Sequence, residues 1–138
     1  MKHERERHFV TAPVGSFFGY RPGPRDAHHA RVSLEPRREF LQGQDRVHGG
    51  ILASLADTTA VWLVYPELDR GRSLTSIEFK LNFLRPATLA GGELVADATL
   101  VKLGRTIALV DVAVAQGGEL VAKGLFTYLV IEPPAARA

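Results

Sequence analysis

The stretch from Gly49 to about Tyr65 constrains the fold more than any other. Ile51, Leu52, Leu55, Val61, Trp62, Leu63 and Val64 put apolar side chains on nearly every face of a helix, so this helix must be buried. Pro66 stops it, because proline lacks an amide hydrogen and disfavours helical geometry in the residue before it. No other segment reads as a long helix, so whatever covers this one must be sheet.

The rest of the chain supplies that sheet. Ser76 to Phe83 alternates, with Ile77, Phe79, Leu81 and Phe83 on a face expected to be core and Ser76, Glu78, Lys80 and Asn82 on the other. Pro86 ends this run, Gly91-Gly92 turns the chain, and Glu93 to Lys102 aligns Leu94, Ala96, Ala98 and Leu100. Gly104-Arg105 reads as a hairpin, and Thr106 to Ala115 and Leu120 to Ile131, joined through Gly117-Gly118, complete the set. Ahead of the helix, Ala27 to Leu34 reads as a strand closed by Pro36, and Arg37 to Val47 as a polar loop turning at Gly43. Between Thr11 and Tyr20, Phe17 and Phe18 are expected to anchor a short turn or helix onto the core. Consecutive strands usually pair, so one strand, a buried helix and four further strands predict an α+β fold in which a curved antiparallel sheet wraps one long central helix.

With 138 residues the chain suits a single domain, here residues 11–132 between a flexible N-terminus (1–10) and a flexible tail (133–138). A net charge of +2 argues against a nucleic-acid partner but would suit a phosphate-bearing ligand. There are no cysteines, which excludes disulfides and a thiol nucleophile and fits a reducing compartment, so a cytoplasmic location is expected. Met1 to His8 is charged and leads into no apolar core of a signal peptide, and no apolar run approaches the ~20 residues that span a bilayer; no membrane association is expected. His28-His29 lacks a partner at ligand spacing, so it reads as surface and no metal site is expected.

The chemistry concentrates where the helix begins. Asp57 sits among Leu, Ala, Val and Trp side chains, where an ionised carboxylate loses hydration. It is either a structural group bonded to Thr58, Thr59 or nearby backbone, or a reacting group, and the preceding His48-Gly49-Gly50 favours the second. First-turn N–H groups lack intrahelical acceptors and lie at the positive end of the helix dipole, and glycine lets a substrate approach them closely. Gly50 is the natural donor, while His48 reads as either a helix cap or a substrate contact. Asp57 lies two turns on, sharing a face with Gly50 and Ser54, yet roughly 10 Å further along the axis. One helix cannot easily aim both groups at one carbonyl. Two antiparallel helices in an isologous dimer would bring Gly50 of one chain near Asp57 of the other, twice.

Taken together, Val47-His48-Gly49-Gly50, Leu55-Ala56-Asp57, Phe83-Leu84-Arg85-Pro86-Ala87, Gly104-Arg105 and Leu120-Val121-Ala122-Lys123-Gly124 resemble the hotdog-fold thioesterases of the phenylacetate-degradation, or PaaI-like, type. The resemblance runs from Phe17 to Ile131. It implies an acyl-CoA thioesterase with no cofactor beyond the coenzyme A of its substrate, assembled as a homodimer or a dimer of dimers (a homotetramer) with active sites at the dimer interface. Asp57 falls on the family's catalytic carboxylate, acting as general base or nucleophile, and Gly50 on the N–H that polarises the thioester carbonyl. His48 falls on the family's histidine at the start of the helix, and Gln42 stands where many relatives carry asparagine. Ser76 aligns with a hydroxyl on the following strand, with Thr75 offering the same chemistry next to it. Strand alternation turns Ser76 away from Ile77 and Phe79, so a bulge or the strand edge must present it.

Gly49 and Ser54 are expected to border the substrate, and Arg85, Lys102 and Arg105, at strand ends and turns, to meet the coenzyme A phosphates. Phe79, Phe83, Trp62 and Tyr65 would permit an aromatic pocket, leaving aromatic, short and medium acyl groups open. Two alternatives stand beside hydrolysis. One is an acyl-thioester hydratase or dehydratase using His48 with Asp57, and the other a non-catalytic acyl-CoA-binding sensor.

Overall fold

A computed structural model describes residues 1–135; residues 136–138, the end of the expected tail, lie outside the described residues. In chain order the elements are α1 (Lys2–Val10), α2 (Pro13–Phe18), β1 (Arg21–Arg25), β2 (His29–Leu34), α3 (Gly49–Val64), β3 (Ser73–Phe83), β4 (Leu94–Leu103), β5 (Ile107–Gln116) and β6 (Glu119–Ile131). Single 3-10 turns at Arg38–Phe40 and Tyr65–Glu67 flank α3. The six strands form one antiparallel sheet in the order β1-β2-β4-β5-β6-β3. Its concave side holds α3, as the hydropathy of the helix requires.

The helix buries Leu52, Leu55, Ala56, Ala60, Leu63 and Val64 against β2, β4 and β5. Facing it are Val32 and Leu34, Leu94 and Ala96, and Val110, Val112 and Val114, all fully buried. Each buried Leu or Val is worth about 1.5–3 kcal/mol, so this helix–sheet contact dominates the stability of the fold. Thr59, the one fully buried polar residue of the helix, donates its hydroxyl to the Leu55 carbonyl at 2.7 Å and leaves nothing unsatisfied. The β5–β6 turn is made by Gly117 and Gly118 at φ 58° and 78°, the left-handed pair a tight hairpin needs. Among the described residues no helix is long and apolar enough to cross a membrane.

The structure departs from the sequence reading in four places. First, Arg21-Pro22-Gly23-Pro24-Arg25, a segment without strand alternation and with no element expected, forms β1 and pairs with β2. Proline is acceptable there because β1 is an edge and its missing N–H deprives no ladder. Second, the N-terminus expected to be loose is the helix α1, tied down by charge. Buried Arg5 donates to the carbonyls of Tyr65 (3.2 Å), Arg72 (2.9 Å) and Asp69 (2.5 Å). Arg25, on β1, donates to Trp62 and Leu63 carbonyls and pairs with Glu6 and Glu67, and Glu67 also meets Lys2. Two guanidinium groups thus satisfy carbonyls at the C-terminal end of α3, where a helix has no donors of its own for them.

Third, Phe18 packs beside Tyr20 and Phe40, but Phe17 is 70% exposed and anchors nothing. Fourth, the apolar face of β3 is only partly core of this chain: Leu81 packs against the core, and Phe79 and Phe83 are not buried. The strand pairs only with β6, and Phe79 and Phe83 are 49% and 56% exposed on its inner side. The register slips at Ile77, between Ser76↔Tyr128 and Glu78↔Thr127, so Ile77 is a bulge residue and no member of the Phe79 face.

Candidate active site

Asp57 lies half-buried on α3 under the inner face of β6. The Tyr128 hydroxyl donates to its Oδ1 at 2.6 Å and approaches its main-chain carbonyl at 3.2 Å. Tyr128 is 1% exposed, and burial first, then the negative charge and hydrogen bond of Asp57, pushes its phenol far above the usual range. It stays a protonated donor. On the other side, the hydroxyls of Tyr20 and Ser54 are hydrogen-bonded to each other, and Tyr20 too is raised, mainly by burial, with a contribution from Asp57.

Asp57, Thr58, Ser76, Tyr20, Tyr65 and Tyr128 open onto one cavity of about 340 Å³. Its roof comes from the N-terminal helices, through His8, Phe9, Val10 and Val14. The bulge at Ile77 decides between the two hydroxyls of β3. Ser76 stands across from Tyr128 on the inner side and lines the cavity, whereas Thr75 pairs with Leu129, exposed on the outer face. Ser54 is engaged by Tyr20 and does not line the cavity. Of the aromatic residues considered for the pocket, Tyr65 lines it; Trp62 is core, packed on Phe9 with its indole N–H donating to the Gly23 carbonyl. Phe79 and Phe83 do not line it.

The start of α3 forms a second, separate hollow. His48 is the helix N-cap, and its Nδ1 accepts the Gly50 N–H at 2.9 Å. That donor, expected to face substrate, is therefore committed within the chain. The N–H of Gly49 has no hydrogen-bond acceptor among the described residues. Gly49 also lies so close to the Phe83 ring that a Cβ there would stand 3.1 Å from it. It shares a depression of about 380 Å³ with Gln42, Leu52, Phe83 and Arg85. Gln42 is held by its own N–H donating to the Arg46 carbonyl, in a loop that closes through left-handed Gln44 and Asp45.

One chain therefore carries a carboxylate half, with Asp57 and Ser76, and a donor half, with Gln42, Gly49 and Arg85. Eight helical residues, roughly 12 Å, separate Gly49 from Asp57. The three cations do not gather. Arg85 follows β3 and lies 3.6 Å from Glu119, while Lys102 and Arg105 belong to the β4–β5 hairpin at the opposite end of the sheet. Tyr128 and Tyr20 are the residues that sequence reasoning missed. Parity along β6, with Phe126 and Val130 facing inward, marks Tyr128 as a hydroxyl aimed at the helix; Tyr20 has no such signal.

The profile of the thioesterase superfamily matches residues 44–123, a span that holds Gly49, Asp57, Ser76 and Arg85 and begins just after Gln42. A candidate esterase of Halobacterium salinarum is 35% identical over 74 residues, 52% of this chain and 47% of that protein; the match thus spans about half the length of that relative. Among solved structures, a candidate thioesterase of Ralstonia eutropha related to phenylacetic acid degradation is 28% identical, with a TM-score of 0.84 over 93% of this chain and 98% of its own. A hypothetical thioesterase of Streptococcus pneumoniae, solved with coenzyme A, has the same fold at 23% identity, with a TM-score of 0.79 over 92% and 97% of the two chains.

Proposed function

Because the chain belongs to the thioesterase superfamily and has the hotdog fold of its PaaI-like members, we propose that it hydrolyses acyl-CoA thioesters at a site shared between two copies of the chain. The observation that carries this reading is the separation of the two halves. An uncapped N–H at a helix start and a carboxylate two turns away face different hollows, and neither hollow contains the other's group.

The unpaired edge of β3 supports the pairing that would join them. Eleven residues of edge strand, with Phe79, Phe83 and the following Leu84 exposed, form a surface that strands of other chains are prone to extend. Antiparallel pairing of β3 with its copy about a two-fold axis near Phe79 sets the Ser76 end of one strand beside the Phe83 end of the other. The Asp57 half of each chain then meets the Gly49 half of its partner. The exposed inner phenylalanines would be covered in the same step.

In this arrangement the thioester oxygen accepts the Gly49 N–H, chosen over that of Gly50 because the latter is bonded to His48. The donor lies at the positive end of the helix dipole, and an N–H so placed stabilises the developing oxyanion by ~3 kcal/mol. Asp57 either takes a proton from the attacking water as the coenzyme A thiolate leaves, or adds to the carbonyl itself and expels the thiolate. The second route gives a mixed anhydride that water then hydrolyses to the acid and free Asp57. Gln42 borders the reacting group from the donor half. The acyl group occupies the cavity between Tyr20, Tyr65 and Phe9, and Arg85 takes a phosphate at the outer rim. Coenzyme A in the streptococcal structure is in keeping with this substrate class.

A thiol-release screen over aromatic, short and medium acyl-CoAs tests the reading. Turnover of at least one group is expected, falling about 100-fold or more in folded Asp57→Asn. Wild-type rates in that variant would refute it.

A further inference from the structure

We propose that Tyr128 positions the Asp57 carboxylate, holding one oxygen so that the other is presented to the reacting carbon or its water. The proposal rests on the reading of Asp57 as the reacting group, and goes beyond it by naming what fixes that group in place.

A carboxylate on a helix turns about two side-chain bonds, and only a narrow range of orientations is productive. Misplacement of a reacting group by an ångström is expensive in rate. Here the Tyr128 hydroxyl bonds Oδ1 at 2.6 Å while lying 3.2 Å from the carbonyl oxygen of the same residue. Main chain and side chain of Asp57 are thus gripped by one donor, which defines the side-chain rotamer. The 2.6 Å separation is that of a close O–H···O hydrogen bond. Asp57 Oδ2 has no hydrogen-bond partner among the described residues, although Asp57 lines the cavity. It is the oxygen left for chemistry.

The support is itself rigid. Tyr128 is 1% exposed and lies in β6 between Ala108 of β5 and Ser76 of β3, with strand pairing on both sides. A rigid strand is a better platform for such a group than a loop. The same register that seats Tyr128 seats Ser76 across from it, so the bulge at Ile77 serves both residues. Tyr128 does not need to touch substrate, because its one hydroxyl proton is directed at Asp57.

Tyr128→Phe removes the hydroxyl and keeps the ring. The expected result is a fall in kcat of about 10-fold with KM within twofold, since orientation is lost while binding is retained. In an Asp57→Asn background the same change should have no further effect on kcat. An unchanged kcat in Tyr128→Phe, with Asp57→Asn inactive, overturns this proposal and leaves the thioesterase reading intact; activity in Asp57→Asn overturns the reading instead. A raised KM at unchanged kcat would make Tyr128 a substrate contact and also refute positioning. Should Tyr128→Phe fail to fold, 3-fluorotyrosine incorporated at position 128 gives a second readout: its fluorine resonance should move between the wild-type and Asp57→Asn proteins, and an identical resonance in both would refute the contact.

Discussion

Asp57 is tolerated in an apolar helix because the helix does not enclose it. It takes one hydrogen bond from Tyr128 and borders a cavity, so it is neither dehydrated without compensation nor free to turn. The anomaly was legible in sequence because Asp57 is the one charged residue in a mostly apolar helix, and the glycine pair before it marks a helix start. Its partner was not, because Tyr128 reaches Asp57 by a hydrogen bond from strand to helix between residues 71 positions apart. Ser76 and Thr75 make the same point more sharply. A strict period of two turns Ser76 away from the Phe79 face, and only the extra residue at Ile77 returns it to the inner side. Ser76→Ala is therefore expected to lower kcat/KM about 10-fold, and Thr75→Ala to leave it within twofold, in the same thiol-release assay. Equal effects from the two would mean that the bulge does not set which hydroxyl is used.

At the scale of elements, α3 and strands β2 to β6 follow from periodicity and from glycine and proline punctuation, whereas β1 and α1 do not. Both of the missed elements are recruited by the end of α3. Its last carbonyls need donors, and Arg25 from β1 and Arg5 from α1 supply them, with Glu6 and Glu67 as counter-charges. Such long-range pairing has no local pattern. It does have a pH signature. Burial raises the Glu67 carboxyl, but Lys2 and Arg25 outweigh it, so its pKa lies below the ordinary 4.5. Glu6 is likewise lowered, with His3 and Arg25 outweighing burial. A depressed carboxylate pKa stabilises the fold above the unfolded value and loses that contribution as pH falls through the folded one. The wild-type melting temperature should accordingly exceed that of Glu67→Gln at neutral pH and converge on it as the pH drops below about 4. A gap that stayed constant down to the lowest pH would show that α1 is not held by these charges.

For the whole molecule, the sheet wrapped on a central helix was evident from one buried helix and a succession of short-turn strands. The exposure of Phe79 and Phe83 was not, because alternation identifies an apolar face without saying which chain covers it. That ambiguity carries the central claim. If β3 pairs with its own copy, the Asp57 half of one subunit and the Gly49 half of its partner form each active site. Two inactive chains should then repair each other. Asp57→Asn removes the carboxylate, and Gly49→Pro removes the N–H at a first helical position, where the proline backbone is accepted once the Phe83 ring, 3.1 Å from a Cβ there, shifts aside. Each homodimer should be inactive, whereas random mixing on co-expression pairs the intact Asp57 of one chain with the intact Gly49 of the other in one site of every mixed dimer. Thiol release from the co-expressed pair is predicted at about a quarter of the wild-type rate, because half the dimers are mixed and each has one working site. No recovery of activity, with mixed dimers demonstrated by differential tags, would contradict a shared site.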